Sequence, residues 1–250
     1  MTMAGATLAG KRAFITGGGS GAGADLARGF AAAGAEVVIC GRREGPLKAV
    51  AAATGARFVQ ADVTSEADMK RAFAEAGPCD IIIANAGAAD SAPFGKVTLD
   101  HWNTMIATNL TGVFLTFRAG LAQLPGWGRL IAIASTAGLK GYAYAAAYAA
   151  AKHGTVGLVR SLALEVARKP VTVNALCPGF LDTEMTERSI ANIVAKTGKS
   201  PEDAQATLAA GNPQKRLIRP AEVTAAALWL CGPGSEGING QAIAIAGGEA

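Results

Sequence analysis

The stretch from Lys11 to Phe30 restricts this chain more than any other. Lys11–Thr16 (KRAFIT) reads as a short buried strand and Gly17-Gly18-Gly19-Ser20-Gly21-Ala22-Gly23 as a turn. The residues beyond it read as a helix whose apolar face includes Leu26 and Phe30. A strand that runs through glycines straight into a helix opens a βαβ unit. Glycines there let backbone N–H groups approach a pyrophosphate at the helix N-terminus. Taken alone, such a turn can equally be structural, and the spacing Gly17-x-x-x-Gly21-x-Gly23 departs from the usual Gly-x-Gly-x-x-Gly.

The strands that follow keep the pattern. Ala35–Cys40 (AEVVIC), Arg57–Ala61, Asp80–Ala84 (DIIIA), Arg129–Ala134, Val171–Leu176 and Gln241–Ile245 are short apolar runs separated by helical stretches. A continuous run such as Ile81-Ile82-Ile83, rather than an alternating one, suits a parallel sheet covered on both faces. The sequence therefore predicts an α/β chain with a single domain over 1–250, a Rossmann fold with a doubly wound, mostly parallel seven-stranded sheet. Its ligand crevice would open outside the carboxyl ends of the strands, at the switch in strand order. The first and fourth strands would then place Gly17 and Asn85 on one rim.

Composition agrees and excludes several alternatives. Half the residues are hydrophobic and the 32 glycines are spread along the chain, as dense packing with many tight turns requires. The net charge of +4 is mild and no basic cluster interleaves with aromatics, so no nucleic-acid partner is expected. Cys40, Cys79, Cys177 and Cys231 are far apart and read as small buried hydrophobes, and with only His101 and His153 available no metal site is expected. Met1 to Gly10 has neither a charged leader nor a long apolar segment, and no apolar run approaches ~18 residues, so no membrane span is expected. These features predict a cytoplasmic protein with reduced thiols.

Tyr148 and Lys152 lie in a run from Ala143 to Arg168 that reads as a buried amphipathic helix, with Leu158, Val159, Leu162 and Val166 on its apolar side. Four residues apart, the phenol and the ammonium share a face. A nearby cation favours the phenolate and would lower the tyrosine pKa toward working pH, as general acid/base chemistry requires. The same spacing also arises on many helices without consequence. Asn109 falls inside a helix expected from about Thr98 to Leu121, where asparagine is unfavourable; it marks either an exposed accident or a purposeful kink.

At the end of the second strand, where an acid would bind the ribose hydroxyls of NAD, the chain has Gly41-Arg42-Arg43. Arg42 offers a planar fork of donors to a 2′-phosphate, with Arg43 as helper, so NADP(H) is favoured over NAD(H). The two arginines also precede a helix beginning near Glu44-Gly45-Pro46. From Thr183 to Gly211 the pattern loosens into one or two small helices, read as a mobile lid over about 183–212. Lys140, Arg188, Lys196 and Lys199 could meet a phosphate-bearing thioester but read first as solvated surface charges.

Thr16-Gly17-x-x-x-Gly21-x-Gly23, Asn85-Ala86-Gly87, Asn109, Ser135, Tyr148-x-x-x-Lys152 and Pro178-Gly179 follow one another in an order and at intervals that resemble the short-chain dehydrogenase/reductases. The likeness extends over essentially the whole chain and leans toward β-ketoacyl-thioester reductases and related ketone reductases. Ala22 and Ala84 depart from the commonest motif residues without touching a polar or glycine position.

The resemblance implies a catalytic set of Asn109, Ser135, Tyr148 and Lys152. Tyr148 would exchange the proton with a carbonyl or alcohol, and Lys152 would lower its pKa and hold the nicotinamide ribose. Ser135 would bind the substrate oxygen, and Asn109 would hold a water leading to Lys152. It also implies cofactor contacts from Gly17, Ser20, Gly21, Ala22, Gly23, Asn85, Ala86, Gly87, Pro178, Gly179 and Leu181. Asp62 and Val63 would sit at the adenine and Thr183 at the nicotinamide amide. The substrate, a small carbonyl or alcohol, would lie among Ala88–Lys96, Leu139–Tyr144 and the lid.

A catalytically silent dinucleotide sensor on the same fold is the rival reading, and the intact Ser135, Tyr148 and Lys152 argue against it. A Rossmann methyltransferase would need no Tyr/Lys pair. The Ala-rich Tyr148 helix and the apolar closing strand predict a homo-oligomer, and the resemblance implies a tetramer.

Overall fold

The computed structural model describes residues 8–250, so the stretch Met1 to Gly10 read above lies outside it except for its last three residues. Seven strands form one sheet: β1 (Arg12–Thr16), β2 (Glu36–Gly41), β3 (Arg57–Gln60), β4 (Ile81–Ala84), β5 (Gly128–Ile133), β6 (Val171–Pro178) and β7 (Ala242–Ile245). Their order is β3-β2-β1-β4-β5-β6-β7, and every pairing is parallel. The expected seven-stranded Rossmann sheet is thus present, wholly rather than mostly parallel. Its order switches between β1 and β4, where Ala13 pairs with Ile81 and Ile15 with Ile83.

Side-chain alternation explains why both faces are covered. Phe14 and Ile82 point to one face, toward α3 (Glu66–Ala76), α5 (Gly112–Leu121) and α6 (Ala146–Val166). Ile15, Ile81 and Ile83 point to the other, toward α1 (Gly21–Ala32), α2 (Glu44–Thr54) and α9 (Pro220–Cys231). The three isoleucines of β4 are fully buried, each contributing about 1.5–3 kcal/mol of hydrophobic stabilisation. Phe14 stacks on Phe73 of α3 with centroids 4.1 Å apart. Local signals agree: Ser65 caps α3 by accepting from Asp68 N at 3.2 Å, and Pro220 occupies the first turn of α9.

Most strand ends shift by a single residue, and three elements differ from the sequence reading by more. The helix expected over 98–121 is two, α4 (Leu99–Ile106) and α5, joined by a wide π turn at Ala107–Thr111. The Tyr148 helix starts at Ala146, not Ala143, because Tyr144 has φ +65°, a left-handed conformation that no α-helix contains. Strand β6 runs two residues further, to Pro178, because Cys177 and Pro178 pair with Ala244 and Ile245 of β7. The loose segment forms α7 (Glu184–Thr197) and α8 (Pro201–Ala209), which pack on each other. No helix among the described residues is long and apolar enough to cross a membrane.

Candidate active site

The rim at the carboxyl ends of β1 and β4 is tied by one threonine. Thr16 Oγ1 accepts from Asn85 N at 2.9 Å and Ala86 N at 3.0 Å, and Asn85 Nδ2 donates to Thr16 O at 2.9 Å and Gly17 O at 3.4 Å. These bonds put Gly17 and Asn85 side by side, as the strand order requires. Gly17 has φ +68°, and a Cβ on Gly23 would stand 2.1 Å from Gly17 O, so the turn closes onto α1 only with glycine at both places. The first turn of α1 has no acidic residue, and Ser20 gives it no side-chain cap. Its positive end is thus left for an anion. Across the crevice, Thr183 comes within 3.4 Å of where a Cβ of Gly21 would be, which sets Thr183 opposite the glycine turn.

At the far end of β2, Arg42 is exposed, and among the described residues no carboxylate pairs with its guanidinium. Gln60 Nε2 donates to its carbonyl at 2.8 Å. Arg43 follows it, and its Nη2 donates to Ser20 Oγ at 3.3 Å and so leans over the glycine turn. A phosphorylated dinucleotide fits this layout: glycines and a helix N-terminus for the pyrophosphate, and an unpaired guanidinium where NAD-type sites carry an acid. Asp62 Oδ1 accepts from Thr64 N at 2.9 Å and Thr64 Oγ1 at 2.8 Å, while Val63 is buried where a Cβ on Gly112 would clash with it.

The second half of the crevice holds the chemistry. Ser135, just past β5, is half-buried and its Oγ accepts from Ala137 N at 3.1 Å. Tyr148 and Lys152 project from the first turns of α6. Lys152 is 3% exposed, and its Nζ donates to Ile133 O at 2.9 Å and lies 5.6 Å from the Tyr148 ring centroid. The expected lowering of the Tyr148 pKa by Lys152 is not what this arrangement produces. Burial pushes the phenol up, opposed by a hydrogen bond from Ser135. Burial also brings the Lys152 pKa down to about 8, while its ammonium is held by the Ile133 carbonyl.

Asn109 is fully buried, which decides for the purposeful kink. Its Nδ2 donates to Ala88 O at 2.9 Å and to Met105 O at 3.0 Å, its Oδ1 accepts from Ala88 N at 3.2 Å, and its carbonyl accepts from Thr155 Oγ1 at 2.8 Å. The side chain takes a helical carbonyl and the helix widens to compensate. A Cβ on Gly87 would stand 3.0 Å from Asn109 Oδ1 and 3.7 Å from Lys152 Nζ, so glycine lets this loop lie against both. Gly179 N donates to Ile245 O at 3.1 Å, fixing the turn after Pro178, and Leu181 pairs with Ile218.

Thr155 and Glu249 escaped the sequence reading, and Tyr142 entered it only as part of the Leu139–Tyr144 wall. Thr155 follows Lys152 by three on α6, a spacing that could have marked it. Tyr142 hydrogen-bonds Thr136 Oγ1 at 2.6 Å and Glu249 Oε1 at 2.5 Å. Glu249 also takes Lys140 at 3.2 Å, so Lys140 is not a free surface charge, whereas Arg188, Lys196 and Lys199 are exposed as expected.

Residues 11–193 match the short chain dehydrogenase family. A D-beta-hydroxybutyrate dehydrogenase of Rhizobium meliloti is 35% identical over 95% of this chain and 98% of its own length. An acetoacetyl-CoA reductase of Shinella zoogloeoides is 35% identical over 95% and 97%. The solved structure of a variant of actinorhodin polyketide ketoreductase with NADPH superposes with a TM-score of 0.88 at 34% identity, covering 96% of this chain and 97% of that one. Fold, rim and relatives agree, and the chain belongs to the short-chain dehydrogenase family of oxidoreductases.

Proposed function

We propose that the protein reduces a ketone to a secondary alcohol with NADPH, Tyr148 giving the proton, and that the ketone is a 3-oxoacyl thioester or an aromatic ketone. The observation that carries this reading is the meeting of Ser135 and Tyr148 over a buried Lys152, across the crevice from the glycine turn. NADPH would supply the hydride; the protein supplies geometry and the proton. Gly17, Ser20, Gly21, Ala22 and Gly23 would hold the pyrophosphate, with Asn85, Ala86 and Gly87 behind it and Asp62 and Val63 at the adenine. Arg42 would bind the 2′-phosphate, and Thr183, Gly179, Pro178 and Leu181 the nicotinamide end. The relatives named for acetoacetyl-CoA and for a polyketide support the substrate class and, in the second case, the cofactor. NAD(H) is the second choice.

The proton path follows from the residues. Ser135 would donate to the carbonyl oxygen as charge develops there. Tyr148, a buried phenol protonated at neutral pH, would give its proton to that oxygen as the hydride arrives. Lys152 would refill the phenol, and Asn109, on the far side of Gly87, would hold the water that leads to solvent. We also read the protein as cytoplasmic and homotetrameric; four buried, unpaired cysteines agree with a reducing compartment. Loss of NADPH absorbance with a panel of 3-oxoacyl thioesters and aromatic ketones tests the function. No consumption with any of them would defeat it.

A further inference from the structure

The C-terminal residues fold back onto the substrate end of the crevice, where they place a carboxylate. Gly247 and Gly248 have φ +61° and +97°, a course open to glycine, and they pass against Asn212 and Pro213. Glu249 is thereby driven inward until its side chain is only 4% exposed. A Cβ on Gly211 would stand 2.9 Å from Oε1 and one on Gly179 3.2 Å from Oε2, so the carboxylate fills a slot that two glycines leave open.

Inside that slot Glu249 takes up the cation nearest to Ser135 in the chain. Lys140 Nζ lies 3.2 Å from Oε1 and donates to the Glu249 carbonyl at 3.0 Å. Tyr142 donates to the same carboxylate, shares a hydrogen bond with Thr136 next to Ser135, and packs edge-on against Phe180. Tyr142 and Tyr148 are close enough that a charge on one disfavours a charge on the other. Through Thr136, which follows Ser135 directly, the network is tied to the reacting groups. The wall beyond them presents a neutral ion pair, a phenol and a phenyl ring.

We propose that Glu249 sets the substrate class by neutralising Lys140, so that the site selects ketones carrying an uncharged neighbour, an ester or thioester, over free 3-oxo acids. This rests on the ketone-reduction reading above and sharpens it. A lysine at this place would otherwise hold the carboxylate of an acid. Its charge is already met by a carboxylate of the chain itself, and a second carboxylate would have to displace a buried one.

The test uses NADPH-loaded wild type, Glu249→Gln and the double variant Lys140→Met/Glu249→Gln. Calorimetry measures the binding of 3-hydroxybutanoate and of its methyl ester, and separate assays measure turnover of 3-oxobutanoate and its methyl ester. Wild type should bind the ester more tightly than the acid. Glu249→Gln, which keeps the shape and an acceptor for Tyr142, should shift the acid-to-ester affinity ratio toward the acid by at least about tenfold, the lower end for a charge-assisted hydrogen bond. The double variant should lose that shift. An unchanged ratio in Glu249→Gln, a shift that survives loss of Lys140, or no binding of either compound to any protein overturns the proposal. Absence of turnover together with the predicted binding shift would instead count against the ketone-reduction reading alone.

Discussion

Lys152 keeps 3% of its surface in contact with solvent and donates a hydrogen bond to one carbonyl, Ile133 O. Its pKa falls from 10.5 to about 8 on folding. Between those values the unfolded chain binds more protons than the folded one, so this residue makes stability rise with pH across that window. Below about pH 8 its destabilisation is fully present, roughly 3 kcal/mol. Lys152→Met, less about 1 kcal/mol for the lost bond to Ile133, should therefore melt several degrees higher than wild type at neutral pH while losing activity. The gap should close toward about pH 10, and thermal melts at both pH values check it. Tyr148→Phe is the complementary test: it should bind NADPH normally and lose at least ~10²-fold in turnover. Near-normal turnover would remove Tyr148 as proton donor. At the other end of the crevice, Arg42→Ala should weaken NADPH by roughly ten- to a hundredfold and leave NADH nearly unchanged, as titration of both nucleotides would reveal.

At the scale of elements, the interrupted helix between α4 and α5 shows what one side chain can impose. Asn109 satisfies both backbone groups of Ala88 and takes the carbonyl of Met105, so Asn109→Ala leaves buried polar groups unpaired and should cost about 2–4 kcal/mol. Urea unfolding would measure this, and an unchanged midpoint would mean that water replaces the amide without loss. Sequence alone exposed the conflict, an asparagine in a helix interior, but not its resolution, because the partner Ala88 comes from a loop 21 residues away in the chain. The strands were legible because runs such as Ile81-Ile82-Ile83 have few other uses. Tyr144 was not, since nothing in its neighbours announces a left-handed backbone; its carbonyl accepts from Ala92 N at 2.9 Å, and that tertiary bond helps hold it. Glu249 escaped for a related reason. A charged residue near a chain end reads as solvated, and only the path of Gly247 and Gly248 turns it inward.

At the scale of the whole molecule, the rim motifs could be read in advance because each serves one crevice, whereas what covers the outer surfaces depends on contacts between copies. Two of these surfaces carry exposed large apolar side chains. On α6 the outward residues His153, Gly157, Arg160, Ser161, Leu164 and Glu165 recur at helical spacing, with Leu164 81% exposed and open space around the Cβ position of Gly157. Beside it α5 exposes Phe114 and α4 exposes Leu99 and Trp102. The second surface is the free edge of β7 with Trp229 of α9. A strand edge and exposed large apolar side chains are both unfavourable to leave in water, and pairing like with like about a two-fold axis covers each of them. Two independent two-fold contacts generate a tetramer, and small residues such as Gly157 allow like helices to approach closely. Light scattering at micromolar concentration should therefore give a mass near four times 25.1 kDa. Leu164→Glu sets like charges against each other across the helix contact while leaving the β7 edge intact, so the same measurement should then give a dimer. A monomeric wild type would overturn the tetramer outright; a tetrameric Leu164→Glu would move the second contact away from α6.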